Sequence, residues 1–420
     1  MGLWRFTSWI AICGSVEQAG PRVPNQPGWC KTVTMDESAV RPPWALASDG
    51  RRLDQLFGEG ELLPLWIAEP YVPLAQPIRA AIEDRAGLGW YVYETRPGSV
   101  KAAFWDWMER RHGWSSEGLS TIVSPSVGTS IGVLINELTA AGEGVVIQPP
   151  VFTDFKPLIA ASGRKVVRNP LVLTDDHYQM DLDGLVELAS EPSVRMLILC
   201  NPHNPVGRLW ARGELRSVAQ ICAEHDVMVF ADEIHADLAL PPNAFVPFAE
   251  AAKGTSVTWA AGHGPIKTFG LAGVCDTLVV TDDGEVADRF KRVSSRLHLT
   301  RNNVFATAAF ETAYREGGDW LDGLLSLITS NADRLAEGLA GGIRVMPQDA
   351  TYLAWVDFRE LGLDVPELAR WLASSGLALS PGHWFGREGA GFARMTIAAD
   401  PAVIDEAIRR INLGPRPGDN

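Results

Sequence analysis

An α/β fold built on a mostly parallel sheet, with a smaller α+β unit beside it, is predicted by three features of the sequence. Between about residues 121 and 280, short apolar runs alternate with longer stretches of helical period. That order of strand, helix and strand is what a parallel sheet covered on both faces requires. The runs at 144–147, 195–199, 226–230 and 277–280 are almost continuously apolar, as suits strands buried on both sides. After residue 285 the pattern changes to a long helical stretch reaching about 339, an apolar run at 352–357, a helical stretch at 365–375 and a last apolar run at 392–397. This change predicts the separate, smaller unit.

The composition narrows the function classes. With 420 residues, 46% hydrophobic and 21% charged, the chain is long enough for a large core and for two units. A net charge of -14 with acids and bases interspersed argues against a nucleic-acid surface and against anionic membranes, since both need a basic patch. No apolar stretch approaches the roughly 18 residues of a membrane span. The cysteines at 13, 30, 200, 222 and 275 form no CxxC pair, which suits reduced thiols in a cytoplasmic protein. The histidines follow no metal-binding spacing, so no metal site is expected, and His112, His177 and His225 read as surface or packing residues. Residues 1–35 mix Pro, Gly, Trp and Cys without period. They read as a disordered extension or as the product of a start placed upstream of Met35. The apolar patch at 6–16, broken by Thr7, Ser8 and Gly14, is a poor secretory signal.

Taken in order, 62–68 and a helix at 77–86 are expected to join the smaller unit and make it discontinuous. The expected division is 36–86 and 319–413 for the smaller unit, 87–318 for the larger, and 414–420 as a tail. Ligands of such sheets sit beyond the carboxyl ends of the strands, so the residues after each run carry the chemistry. A strand at 120–123 leads through Ser124-Pro-Ser-Val-Gly-Thr-Ser130 into a helix at 127–140. Small residues there leave backbone N–H groups open to a phosphate, although a serine N-cap explains them equally. After 144–147 comes Phe152, placed to stack on a flat ring or to pack in the core. After 195–199 comes Asn201-Pro-His-Asn-Pro-Val-Gly207, a rigid loop or plain turn in which Asn204 can donate to a phenolate oxygen. A helix is predicted at 214–224.

Asp232 follows the run at 226–230, with Glu233 and His235 behind it. A carboxylate at a strand end can keep a pyridine nitrogen protonated and turn the ring into an electron sink; a helix cap or a metal ligand fits the Asp-Glu pair too. His235 stands where it can reach a ring oxygen. A lone lysine is ordinarily a solvated surface charge, but Lys267 lies among Ile266, Phe269 and Leu271. Such neighbours desolvate the amine and lower its pKa, as Schiff-base chemistry needs. Arg394 stands alone in the apolar run 392–397; a buried arginine needs an anion, and a substrate carboxylate offers a bidentate one.

Together these segments resemble the fold-type I pyridoxal-phosphate enzymes of the class I/II aminotransferase superfamily, and within it the MalY/PatB group of cystathionine β-lyase-like carbon–sulfur lyases. The resemblance runs from about residue 62 to the C-terminus. It is carried by the 201–207 loop, Ala231-Asp-Glu-Ile-His-Ala-Asp-Leu238, Lys267-Thr-Phe-Gly-Leu-Ala-Gly273, Thr351-Tyr-Leu-Ala-Trp355, Leu379-Ser-Pro-Gly382 and the Arg394 strand. It implies a mostly parallel seven-stranded sheet between helices, with pyridoxal 5'-phosphate bound through a Schiff base to Lys267. Asp232 would hold the pyridine nitrogen, Asn204 and His235 the ring oxygen, Phe152 the ring face, and Val127 and Gly128 the phosphate. Arg394 and Asn204 would hold the substrate, with Trp66, Ala68 and Tyr71 lining its pocket. Tyr91, in Gly89-Trp-Tyr-Val-Tyr93, would reach the phosphate of the neighbouring subunit, which implies a homodimer.

The chain departs from that family at Gly264, Ile266 and Gly270, where a small hydroxyl residue, serine and asparagine are usual, and at Glu69-Pro-Tyr71. An aromatic pocket including Trp66, Trp90 and Trp384 is expected. The activity implied is β-elimination from a bulky S-substituted L-cysteine of natural-product origin, giving thiol, pyruvate and ammonia. Decarboxylation with oxidative deamination of an S-glycosyl cysteine, transamination, and a regulatory binding role are the alternatives.

Overall fold

The structure, a computed structural model, describes residues 45–299 and 301–415. The expected extension over 1–35, the cysteines at 13 and 30 and most of the expected 414–420 tail lie outside the described residues. The larger sheet has seven strands in the order Ser120–Ser124, Thr277–Thr281, Trp259–His263, Met228–Asp232, Val194–Cys200, Gly144–Ile147 and Lys165–Arg168. Thr277–Thr281 runs antiparallel to both of its neighbours, and the other pairings are parallel. Alternation along the strands splits their side chains between two cores. Val146, Leu197, Leu199, Val229 and Ala231 enter one, while Val145, Ile147, Met196, Ile198 and Phe230 enter the other. Burial on both faces explains why the runs are continuous in the sequence.

Some expected boundaries shift, for local reasons. The strand expected from 226 begins at Met228, because Asp226 sits at φ 54 in the turn after the helix Arg212–Glu224. The single helical stretch expected over 285–339 is three helices, Gly284–Arg296, Val304–Glu316 and Gly318–Gly338. His298 at φ 54 interrupts it first, and Asn303 then caps the second helix. Gly317 opens the third, where a Cβ would run into the Phe269 ring.

The smaller sheet is antiparallel, in the order Arg344–Val345, Leu353–Asp357, Phe392–Thr396 and Ser380–Pro381. The N-terminal segment Leu63–Pro64 pairs in parallel with Leu377–Ala378, and Thr396 donates its N–H to Leu65 O at 2.9 Å. Residues 65–71 are thereby laid across the end of the Arg394 strand. The helix Gln76–Gly87, expected to join this unit, packs instead on Val304–Glu316, which in turn packs on Ser99–His112. Its buried Ile78 is drawn into that helical layer.

Candidate active site

The carboxyl ends of the parallel strands and the segment 65–71 converge on a group of buried polar side chains. Asp232 closes its strand at 6% exposure and accepts one hydrogen bond, from the Ile234 N–H at 3.2 Å. Burial raises its pKa to about 6, against the pull of that N–H and of Lys267. A carboxylate so poorly supplied with donors is unusual in a protein interior.

Lys267 lies in the four-residue helix Ile266–Phe269, closed by Gly270 at φ 70. Its Nζ donates to the Ala68 carbonyl at 2.8 Å, and the Tyr352 hydroxyl donates to the same oxygen at 3.2 Å. The residue keeps some open surface, yet its amine is deep enough that burial, followed by Arg394, lowers its pKa to about 8. His235 is 3% exposed with Nδ1 unpartnered, edge-on to the Tyr352 ring at 6.1 Å. Burial, then Lys267 and Arg394, push its pKa well below the usual value and so favour its neutral form.

Arg394 is 6% exposed. Its Nη1 donates to Asn204 Oδ1 at 3.0 Å, and its Nη2 to Trp66 O at 2.9 Å and Ser380 Oγ at 3.3 Å. The guanidinium lies 4.8 Å from the Phe385 ring centroid, and its Nε has no partner. Among the described residues no carboxylate pairs with it, and burial brings its pKa down to about 10. A buried cation held this firmly without a carboxylate is suited to receive an anion.

Val127 and Gly128 open the helix Val127–Leu138, and Ser126, its N-cap, accepts from the Thr129 N–H at 3.0 Å. The N-cap does not use up the first turn, whose other amides have no partner within the helix and stay open to an anion. Phe152 is half-buried and edge-on to Phe155 at 5.5 Å. Tyr71, also half-buried, gives its N–H to Ala398 O at 2.6 Å. Trp66 contributes its carbonyl to Arg394, while its indole packs against Phe57 and Trp384 at 5.5 and 6.4 Å.

One sequence expectation falls outside this group. Trp90 is 71% exposed and does not join Trp66 and Trp384, because it belongs to an outward-facing segment with Leu88, Tyr91, Val92 and Tyr93. Tyr91 itself donates to Ala86 O at 2.7 Å and touches the Phe305 ring at 5.5 Å. Of the two readings of His112, surface or packing, the second holds: its ring packs on Phe245 and its Nε2 lies 2.8 Å from buried Asp237 Oδ1. Sequence reasoning gave no role to Tyr352, Ser380 or Phe385. The first two stand inside motifs already singled out, and Phe385 has no local signal.

The departures at 264 and 270 have local causes. Gly270 takes a left-handed conformation that asparagine also tolerates. A Cβ there would meet Pro70 Cδ at an ordinary 3.6 Å, so the departures at 270 and 69–71 are neighbours. At Gly264 a Cβ would stand 3.2 Å from Thr277 Cγ2, so the larger neighbour on the adjoining strand accompanies the smaller residue here.

An under-bonded buried acid, an unpartnered imidazole nitrogen, free first-turn amides, a half-buried aromatic and a lysine with a lowered pKa suit a phosphorylated pyridine aldehyde. Such a site at the strand ends of an α/β sheet defines a lysine-centred, pyridoxal-phosphate type of protein. The chain belongs to the aminotransferase class I and II family, whose model matches residues 70–411. It is 37% identical over 369 residues to cystathionine beta-lyase PatB of Bacillus subtilis, covering 85% of this chain and 93% of that protein. To protein MalY of Escherichia coli it is 28% identical over 359 residues, covering 84% and 91%. A pyridoxal-phosphate-bound structure from Clostridium difficile superimposes with a TM-score of 0.82 at 33% identity, over 88% of this chain and 96% of that one. Cystalysin from Treponema denticola, which contains pyridoxal 5'-phosphate, does so at 0.82 and 26%, over 88% and 95%.

Proposed function

We propose that the protein is a pyridoxal-phosphate-dependent carbon–sulfur β-lyase acting on S-substituted L-cysteine. The observation that carries the amino-acid part is Arg394, an unpaired buried guanidinium held by Asn204, Trp66 and Ser380 beside the Lys267 amine. The lyase part rests on kinship with PatB and MalY. When bound, pyridoxal phosphate supplies the electron sink for a carbanion at the substrate Cα.

The chain's own residues do the rest. Arg394 takes the substrate carboxylate through its fork. Asp232 keeps a proton on the pyridine nitrogen, and a pyridinium neighbour offsets the burial that raises its pKa. Asn204 and His235 would hold the ring oxygen, Phe152 would stack on the ring, and the Val127 and Gly128 amides would hold the phosphate. Lys267, neutral above about pH 8, removes the Cα proton and can return it to the departing sulfur. Trp66, Ala68 and Tyr71 border the substrate. With one water, an S-substituted cysteine yields a thiol, pyruvate and ammonia.

The exposed segment at 88–93, with Tyr91 at 59% exposure, supports a homodimer in which Tyr91 serves the neighbouring site. Decarboxylation with oxidative deamination was motivated by positions 264, 266 and 270. The left-handed backbone at Gly270 and the Thr277 side chain beside Gly264 account for those two positions without it.

The test is product analysis of the purified, cofactor-loaded protein with S-alkyl, S-aryl and S-glycosyl cysteines. Thiol and pyruvate in equal amounts are expected. Carbon dioxide with a sulfur-bearing aldehyde, or turnover that needs a keto acid, would sink the lyase reading.

A further inference from the structure

The Glu233 side chain is wholly buried and takes no part in the chemistry proposed above. Its Oε1 accepts from Asn201 Nδ2 at 3.0 Å and from the Phe248 N–H at 2.7 Å; its Oε2 stands 3.0 Å from His263 Nε2, an ion-pair distance at which neither atom makes a hydrogen bond. His263 is 2% exposed, between the rings of Phe104 and Trp114 at 5.7 and 5.2 Å. Among the described residues no cluster of metal-ligating side chains forms, so a metal does not account for Glu233.

Phe248 opens the short helix Phe248–Ala252, while Glu233 and its other two partners stand at three strand ends. Asn201 begins the loop that carries Asn204, Glu233 itself follows Asp232, and His263 ends the strand that leads into Lys267. The backbone repeats the connection: the Asn201 N–H donates to Asp232 O and the Glu233 N–H to Gly262 O, both at 3.0 Å. Successive side chains on a strand point to opposite faces, so Asp232 and Glu233 have separate duties on one strand end.

We propose that Glu233 is a positioning residue for the cofactor: its buried carboxylate locks together the three strand ends that carry Asn204, Asp232 and Lys267. The inference rests on cofactor binding and not on which substrate bond is broken. Misplacement of about 1 Å at a reacting centre costs on the order of a hundredfold in rate, so such a lock matters although it touches no ligand.

The test compares wild-type protein, Glu233→Gln and His263→Leu, each loaded with pyridoxal phosphate. The measurements are the visible absorption of the bound cofactor across pH, the rate of cofactor release, and thermal unfolding. Glu233→Gln is expected to shift the pH midpoint of the absorption by about half a unit or more and to speed release about tenfold. His263→Leu, which leaves Asn201 and Phe248 in place, should move both readouts in the same direction by less. Lower thermal stability with unchanged midpoint and release would make Glu233 a merely structural residue and overturn the proposal. If Glu233→Gln does not fold, unchanged readouts in His263→Leu overturn it equally. Wild-type protein that gains no visible absorption would remove the cofactor reading, and this inference with it, without bearing on where Glu233 sits.

Discussion

Asp232, which ends its strand, and Asp237, in the turn that follows, are both buried, yet the fold supplies them very differently. Asp237, in the short turn Ala236–Leu238, receives Trp107 Nε1 at 2.7 Å, His112 Nε2 at 2.8 Å and Thr268 Oγ1 at 2.9 Å. Burial alone would raise its pKa, but the bonds from His112, Trp107 and Thr268 and the charge of His112 outweigh it and hold the carboxyl below its usual value. Asp232 has one backbone donor, and burial prevails. A carboxylate satisfied from within stabilises the chain; one left short of donors stores a demand that a ligand meets. The cations divide the same way. Arg208 is paired with Glu214 and Asp349, whereas Arg394 has no acid partner among the described residues.

The comparison is broken most directly at Lys267, which belongs with the unsatisfied set. Lys267→Ala should lower turnover by roughly 10⁴-fold, the upper range for a removed acid–base group, without lowering the unfolding free energy of the cofactor-free chain. Turnover near the wild-type rate, measured on whichever cysteine conjugate the protein cleaves, would end the assignment of Lys267 as the base.

Asp237→Ala should act in the opposite sense. Removing the centre of a three-donor cluster leaves buried Trp107 and Thr268 and half-buried His112 unpaired, at a cost of about 3–5 kcal/mol. Urea unfolding should register that loss with and without cofactor. A loss below about 1 kcal/mol would mean that Asp237 is not the satisfied counterpart supposed here.

Asp232→Asn should stabilise the cofactor-free protein. Its carboxyl moves from 3.8 to about 6 on folding, so the folded state disfavours the charged form by about 3 kcal/mol as an upper figure. That penalty is absent below pH 3.8, where both states are protonated. It grows between pH 3.8 and about 6 and is complete above. The variant's advantage should therefore be largest near pH 7 and fade as pH falls through that window. Addition of pyridoxal phosphate should reverse the order, since the wild-type carboxylate gains a pyridinium partner. An advantage that does not change with pH would show that Asp232 is not the source.

Much of this division was legible in the sequence. The near-continuous apolar runs announced a sheet buried on both faces, and the residues directly after them, Asn204, Asp232 and Lys267, meet at the site because parallel strands bring their carboxyl ends together. Arg394 stood out as a charge in an apolar run. What stayed hidden depends on partners distant in sequence. That Asp237 is satisfied and Asp232 is not follows from Trp107, His112 and Thr268 arriving from two other elements. The packing of the helix Gln76–Gly87 on Val304–Glu316 is not legible either, because periodicity shows that a helix has a buried face, not which neighbour covers it. Trp90 looked like a pocket residue because local sequence carries no sign of which way an aromatic segment faces.

The smallest expected effect tests whether a departure from the family pattern belongs to the satisfied part of the molecule. Gly270 closes the lysine helix at φ 70 with its N–H bonded to Ile266 O, and an added Cβ would meet only the Pro70 ring, at 3.6 and 3.8 Å. Asparagine accepts this backbone conformation and loses less entropy on folding than glycine. Gly270→Asn should thus change stability by no more than about 0.5 kcal/mol, whereas Gly270→Val, β-branched in a left-handed position, should cost about 1–2 kcal/mol. Paired unfolding curves check both. Equal, large losses would mean that the space beside Pro70, rather than the backbone angle, requires glycine, and that Glu69-Pro-Tyr71 and Gly270 function as one unit.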